Sequence, residues 1–315
     1  VDKLRKDQSS RTTSRRELEA RHEDFEQVSA EVGELDQDAL AGALDEDPDR
    51  AIELLADMAR ATDRALRDRA RALAAELLLP VARHGGDHRR RGASRLVTSA
   101  RDGLDLDLDA TLERAAAAGS PTGASGPSSR ISADDLRWHS WERPGRAYVL
   151  LVDASGSVTG RPLATALVTA AALARRIGPD DQLAVVAFWS RAVVLRHVTS
   201  TDPATSVLDA LFDLRGGDTT DLAGGLEAAL AQAGRAVAGQ RDVIVLTDGM
   251  ANAGGDPVAV AATATATGAR VHLLRLAEDP EAVAACLAVA EAGGGRVAAL
   301  PRPSLAPAAL SDVLT

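Results

Sequence analysis

The chain has 315 residues, 45% hydrophobic and 26% charged, which is ordinary globular composition and enough for two domains at ~100–200 residues each. A net charge of −10 argues against nonspecific nucleic-acid binding, and the 2% aromatic content leaves Ala, Leu and Val to build the core. Cys286 is the only cysteine, which excludes an intrachain disulfide and a thiolate cluster for zinc or iron–sulfur.

The first residues carry the only lysines, Lys3 and Lys6. A Walker loop needs a Lys after its glycines at the start of a helix, and Schiff-base chemistry needs a desolvated Lys, so both are excluded. The opening residues lack the apolar core of a signal peptide, and no run reaches the ~20 apolar residues of a membrane span. The expected setting is cytoplasmic.

Residues 1–95 read as a helical region. Ser14-Arg15-Arg16-Glu17 has the form of a capping box before Leu18. From Asp49 to Leu79, the residues Ile52, Leu55, Met58, Leu66, Ala70, Leu73 and Leu77 fall near helical spacing, with Asp47-Pro48 as the start and Pro80 as the stop. This reads as a small bundle without chemistry, or as a docking face. His84 and His88 stand among arginines and glycines and read as a solvated basic loop.

Residues 96–146 form a connector. Leu104-Asp105-Leu106-Asp107-Leu108-Asp109 alternates strictly, which predicts a half-buried strand, with Asp109 capping a helix over 110–118. Residues 119–129 are a Gly/Ser/Pro linker, 136–141 a short edge strand, and Pro144-Gly145 a turn.

Residues 147–315 alternate short apolar strands (147–153, 182–188, 192–198, 242–247, 270–276, 296–300) with helices (163–176, 204–211, 222–236, 257–266, 280–292, 307–314). The expected fold class is α/β: a doubly wound, mostly parallel sheet preceded by a smaller, mainly helical N-terminal region. Ligands in such sheets bind beyond the carboxyl ends of the strands. Three loops qualify: Asp153-Ala154-Ser155-Gly156-Ser157, Gly216-Gly217-Asp218-Thr219-Thr220-Asp221, and Leu246-Thr247-Asp248-Gly249.

These loops offer carboxylates and hydroxyls without His, Cys or Lys, a hard-oxygen set that suits Mg²⁺, or Mn²⁺, over zinc. Ser155, Ser157 and Thr220 are assigned as direct ligands, with Asp153 and Asp248 acting mainly through water and through the serines. Neutral first ligands leave the ion undercompensated, so an acidic side chain from another molecule would complete the shell. Gly156 and Gly249 allow tight turns around it.

Asp-x-Ser-x-Ser, then Thr, then Asp-Gly, each after a strand, resembles the metal-ion-dependent adhesion site of von Willebrand factor A (VWA) domains, over roughly 147–300. The resemblance implies a non-catalytic metal site at Asp153, Ser155, Ser157, Thr220 and Asp248. Val158 replaces the usual Met, and Thr219 is the second choice for the threonine. Residues 246–252 resemble the D subunit of magnesium chelatase, and 103–112 with 135–137 resemble CoxE-like bacterial VWA proteins. Those proteins work beside MoxR-type or chelatase-type AAA+ ATPases, which implies an adaptor or co-chaperone with an AAA+ partner. An accessory chelatase subunit and an extracellular adhesion protein are the alternatives.

A hydrolase would pair Ser155 with His197 or His272, but both histidines fall inside predicted strands and no Gly-x-Ser-x-Gly elbow is present. Asp181, Asp213 and Asp221 read as caps or surface charges, Asn252 as a turn residue, Trp189 as buried packing, and Cys286 as a small core residue.

Overall fold

The computed structural model describes residues 12–81, 95–99, 105–118, 131–142, 145–156, 159–217 and 219–315. His84, His88, the 119–129 linker, Ser157, Val158 and Asp218 lie outside the described residues. The chain divides into two units, one of residues 1–88 with 145–315 and one of residues 89–144.

The first unit begins with α1 (Arg15–Arg21), α2 (Phe25–Val28), α3 (Gln37–Glu46), α4 (Pro48–Met58) and α5 (Arg64–Val81). The capping box forms as expected: the Ser14 hydroxyl accepts from the Glu17 N–H, and the Glu17 carboxylate accepts from the Ser14 N–H. The single helical pattern over 49–79 is in fact two helices. Ala59 ends the first, and the Asp63 carboxylate restarts the second by accepting from the N–H groups of Ala65 and Leu66. Pro80 sits in the last turn of α5, which ends one residue later.

The small unit contains β1 (Arg95–Ser99), β2 (Asp105–Leu106), α6 (Leu108–Ala118) and β3 (Trp138–Glu142). Here two expectations change. The strand expected over 104–109 is reduced to Asp105–Leu106, because Asp107 rather than Asp109 caps the helix, accepting from the Ala110 N–H at 3.0 Å. The strand expected at the edge is the middle one, paired antiparallel to both β1 and β2.

The first unit resumes with β4 (Arg146–Asp153), α7 (Arg161–Arg176), β5 (Gln182–Phe188), β6 (Ala192–Arg196), α8 (Val207–Phe212), α9 (Leu222–Gly234), β7 (Gln240–Thr247), α10 (Pro257–Ala262), β8 (Ala269–Arg275), α11 (Pro280–Ala292), β9 (Val297–Ala299) and α12 (Ala306–Leu314). The expected elements are all present. The largest boundary changes are β6, which stops at Arg196 and leaves His197 outside the strand, and α10, which tightens into a 3₁₀ turn at Thr263–Thr267.

The sheet has six strands in the order β6-β5-β4-β7-β8-β9 and is parallel except for the β5–β6 pair. Side chains of β4 alternate between two cores: Tyr148, Leu150 and Val152 pack with α7 and α12, while Ala147, Val149 and Leu151 pack with α9 and α11. A strand covered on both faces must be apolar at every position, which explains its continuous apolar run. Since α7 leads from β4 to β5 on one face and α10 leads from β7 to β8 on the other, the chain changes winding direction between β4 and β7. That crevice, at the carboxyl ends, is where such sheets hold ligands.

Residues 163–173 of α7 are buried without exception, because the helix lies between the sheet and the N-terminal helices. Its buried Thr165 and Thr169 hydroxyls satisfy themselves on the carbonyls of Arg161 and Thr165. Leu18, Phe25, Leu40, Ile52, Met58, Leu66 and Leu78 of the N-terminal helices join the same core. The apolar face of α5, a candidate docking surface in the sequence, is covered within the unit.

Candidate metal centre

Asp153 ends β4, and its carboxylate immediately organises the loop: Oδ1 accepts from the Ser155 N–H at 2.9 Å. The chain then joins the second loop through a short parallel bridge. The Gly156 N–H donates to the Gly217 carbonyl at 2.6 Å, and the Gly217 N–H donates to the Ala154 carbonyl at 3.1 Å. Gly156 and Gly249 turn with φ of +70° and +88°, a region that L side chains avoid.

Gly217 has a different reason to be glycine. A Cβ there would lie 2.4 Å from Cδ1 of Trp189, so the loop crosses directly over the indole. Trp189 is half-buried; its carbonyl accepts from the Asp221 N–H at 2.7 Å, and Arg191 stacks on its ring. The residue read as packing is therefore the platform of the second loop. Asp221 caps α9, accepting from the Gly224 N–H, as its position suggested.

Thr220 is 4% exposed, whereas Thr219 is exposed. The Asn252 side chain accepts from the Thr220 N–H at 2.8 Å, and the Thr220 carbonyl accepts from the N–H of Asn252 at 3.2 Å. Asn252, read as a turn residue, clamps the second loop to the third. With its backbone fixed on both sides, Thr220 is a buried residue whose hydroxyl makes no hydrogen bond among the described residues and is not itself shut away from solvent.

The third loop supplies a residue that sequence reasoning missed. The Thr247 hydroxyl donates to Asp153 Oδ2 at 2.8 Å and accepts from the Gly249 N–H at 3.0 Å, so both Asp153 oxygens are engaged and fixed. Only its place beside Asp248, at the end of a strand, could have flagged it. Asp248 is exposed and accepts from the Met250 N–H. Cys286 lies beneath this turn, with Sγ 2.9 Å from where a Gly249 Cβ would stand, and burial pushes its thiol up to about 11.

Burial is the largest influence on Asp153 and pushes its carboxyl above the usual range; hydrogen bonds from Ser155 and Thr247 oppose this, and the charge of Asp248 adds to it. Neither Asp153 nor Asp248 pairs with a cationic side chain among the described residues. Two adjacent carboxylates, one largely buried and neither compensated, favour an external cation. No cluster of three or more His, Cys, Asp or Glu suited to a metal occurs among the described residues, so the available donors are those carboxylates with hydroxyls.

Ser155 thus stands by Asp153, Asp248 and the Thr220 loop at one sheet edge. Ser157 lies outside the described residues. Neither histidine of the hydrolase alternative fits: His197 follows Arg196, which pairs with Val185 away from the carboxyl end of β5, and His272 is buried with one ring nitrogen near Asp242 at 3.3 Å and the other accepting from the Arg296 N–H at 3.1 Å.

Residues 149–285 match the family model of the von Willebrand factor type A domain, a metal-dependent binding module. No curated protein matches the chain. Among solved structures, an aerotolerance-related membrane protein from Bacteroides fragilis is 20% identical over 53% of this chain and 97% of its own, with a TM-score of 0.44. The vWF domain of the type V pili tip protein Mfa5 from Porphyromonas gingivalis is 13% identical over 54% and 93%, with a TM-score of 0.46. Proximal thread matrix protein 1 from the mussel byssus, solved with a zinc-occupied MIDAS motif, is 20% identical over 50% and 41%, with a TM-score of 0.43. No described helix is long and apolar enough to cross a membrane.

Proposed function

Starting from the von Willebrand factor type A match over 149–285, we propose that the chain is a Mg²⁺-dependent protein-binding module whose ion takes its last ligand from an acidic side chain of a partner. Ser155, Ser157 and Thr220 would hold the ion directly, and Asp153 and Asp248 would act through water and by orienting the serines. The observation that carries this reading is the Asp153–Asp248 pair, uncompensated among the described residues, together with Thr220, whose hydroxyl makes no hydrogen bond among them. Hydroxyl oxygens are hard donors, which suits Mg²⁺ or Mn²⁺. When bound, the ion supplies a Lewis-acidic contact for a carboxylate. The chain's own part is to hold the donors still: Thr247 fixes Asp153, and Asn252 fixes Thr220.

The biological role we infer is that of an adaptor or co-chaperone for a MoxR-type AAA+ ATPase inside the cell. The motif resemblance supports it, and this sequence carries no Walker lysine of its own. The single buried thiol suits a reducing compartment. Calorimetry tests the site: Mg²⁺ binding should vanish in the Asp153→Ala, Ser155→Ala double variant, and its survival would refute the assignment. Pull-down from native lysate tests the role, with recovery of an AAA+ ATPase that EDTA abolishes. Recovery of a porphyrin-metallating complex would indicate a chelatase subunit instead.

A further inference from the structure

Asp57 is an aspartate in an unfavourable place. It lies in the last turn of α4, where the helix dipole repels negative charge, and it is 1% exposed. A residue that violates its own helix this way answers to something outside the helix. Its carboxylate accepts from the Gly160 N–H at 2.8 Å, lies 3.0 Å from His22 Nε2, and has the Arg21 guanidinium 3.6 Å away. Gly160 is the cap of α7, three positions past Ser157. One turn before Asp57, Glu53 pairs with Arg161 at 2.9 Å, so one face of α4 grips the chain where it leaves the first loop.

The same end of α4 leads to the second loop. Arg60 donates through Nη1 to the Leu214 carbonyl at 3.0 Å. From α5, Arg71 pairs with Asp213 at 2.9 Å and stacks over Phe212. Leu214 precedes the bridge residue Gly217 and the buried Thr220. The two loops are therefore tied at the front by the Ser155–Gly217 bridge and at the back by Asp57 and Arg60.

We propose that Asp57, assisted by Arg60, is a positioning residue of the metal site: the N-terminal helices set the separation of the Ser155 and Thr220 loops. This inference rests on the metal reading above. It makes the helical region part of the site's scaffold, so a change at the C-terminal end of α4, where Asp57 and Arg60 hold the loops, changes how the hydroxyl donors converge.

The test is Mn²⁺ affinity of the full chain, read from the free-ion EPR signal well below the melting temperature. Three variants are compared: Asp57→Asn, Arg60→Met, and Asp49→Asn. Asp49 ties the start of the same helix to Ser304, accepting from its N–H at 2.8 Å and its hydroxyl at 3.0 Å, and touches neither loop. Asp57→Asn and Arg60→Met should each weaken Mn²⁺ binding roughly tenfold or more, as loss of a supporting shell does. Asp49→Asn should lose thermal stability yet keep wild-type affinity. Folded Asp57→Asn with wild-type affinity, or equal weakening in Asp49→Asn, overturns the proposal. If Asp57→Asn does not fold, Arg60→Met decides by the same criterion. A wild-type chain that binds no Mn²⁺ overturns the metal reading itself, and the inference with it.

Discussion

The sheet carries an aspartate near each end, one buried and one half-buried, and their treatment is opposite. Asp242, near the amino end of β7, is 0% exposed. Burial, the largest influence, pushes its carboxyl up, but the His272 hydrogen bond and the Arg270 charge outweigh burial and hold it below the usual range. Arg270 approaches at 2.8 Å and Gln240 donates at 3.0 Å. Asp153, at the carboxyl end of β4, has hydrogen bonds but pairs with no cation among the described residues, and its carboxyl is raised. The fold therefore neutralises one carboxylate from within and leaves the other to be neutralised from outside. The first is architecture; the second is where we propose that an ion binds.

The sharpest way to break this contrast is to delete each carboxylate without metal. Asp242→Ala strips His272 and Arg270 of their partner and should cost about 3 kcal/mol in urea denaturation. Asp153→Asn removes an uncompensated charge and should be neutral or stabilising in EDTA; a comparable loss at both positions would erase the distinction. Saturating Mg²⁺ should then raise wild-type stability by roughly 2.7 kcal/mol at a hundredfold excess over Kd, and leave Asp153→Asn nearly unchanged.

Acid gives a smaller effect. The Asp242 carboxyl is depressed in the folded state, so it stabilises above the unfolded value of about 3.9 and that contribution is lost as pH falls through the folded value. Arg270→Gln should move the acid unfolding midpoint upward, by well under one pH unit because Arg270 is partly exposed. An unmoved midpoint would show that His272 alone holds Asp242. The smallest expected effect is at Thr219, where substitution by Ala should leave Mg²⁺ affinity intact while Thr220→Ala loses it; the reverse pattern would reassign the ligand.

Much of the fold was legible because parallel strands covered on both faces write themselves as unbroken apolar runs, and the loops expected after them do bring Asp153, Ser155, Thr220 and Asp248 to the carboxyl ends of the strands. What stayed hidden were contacts between residues far apart. Thr247 meets Asp153 across 94 positions and Arg60 meets Leu214 across 154, and a one-dimensional pattern holds no trace of either. The break at 60–63 was masked because helical spacing resumes in phase in α5. In the small unit, alternation of Leu and Asp imitated a strand although Asp107 serves as a cap, since Asp side chains compete readily for nearby N–H groups.

The placement of Cys286 under the Gly249 turn has a practical consequence. The chain holds one thiol, and a thiol held at about 11 and shut away from solvent is nearly inert to alkylation until its cover lifts. Labelling rate then becomes an opening clock for the third loop, wired to the aspartate at position 248 and read without altering the sequence. A cation that draws the loops together would slow that clock, and a partner that prises them apart would speed it.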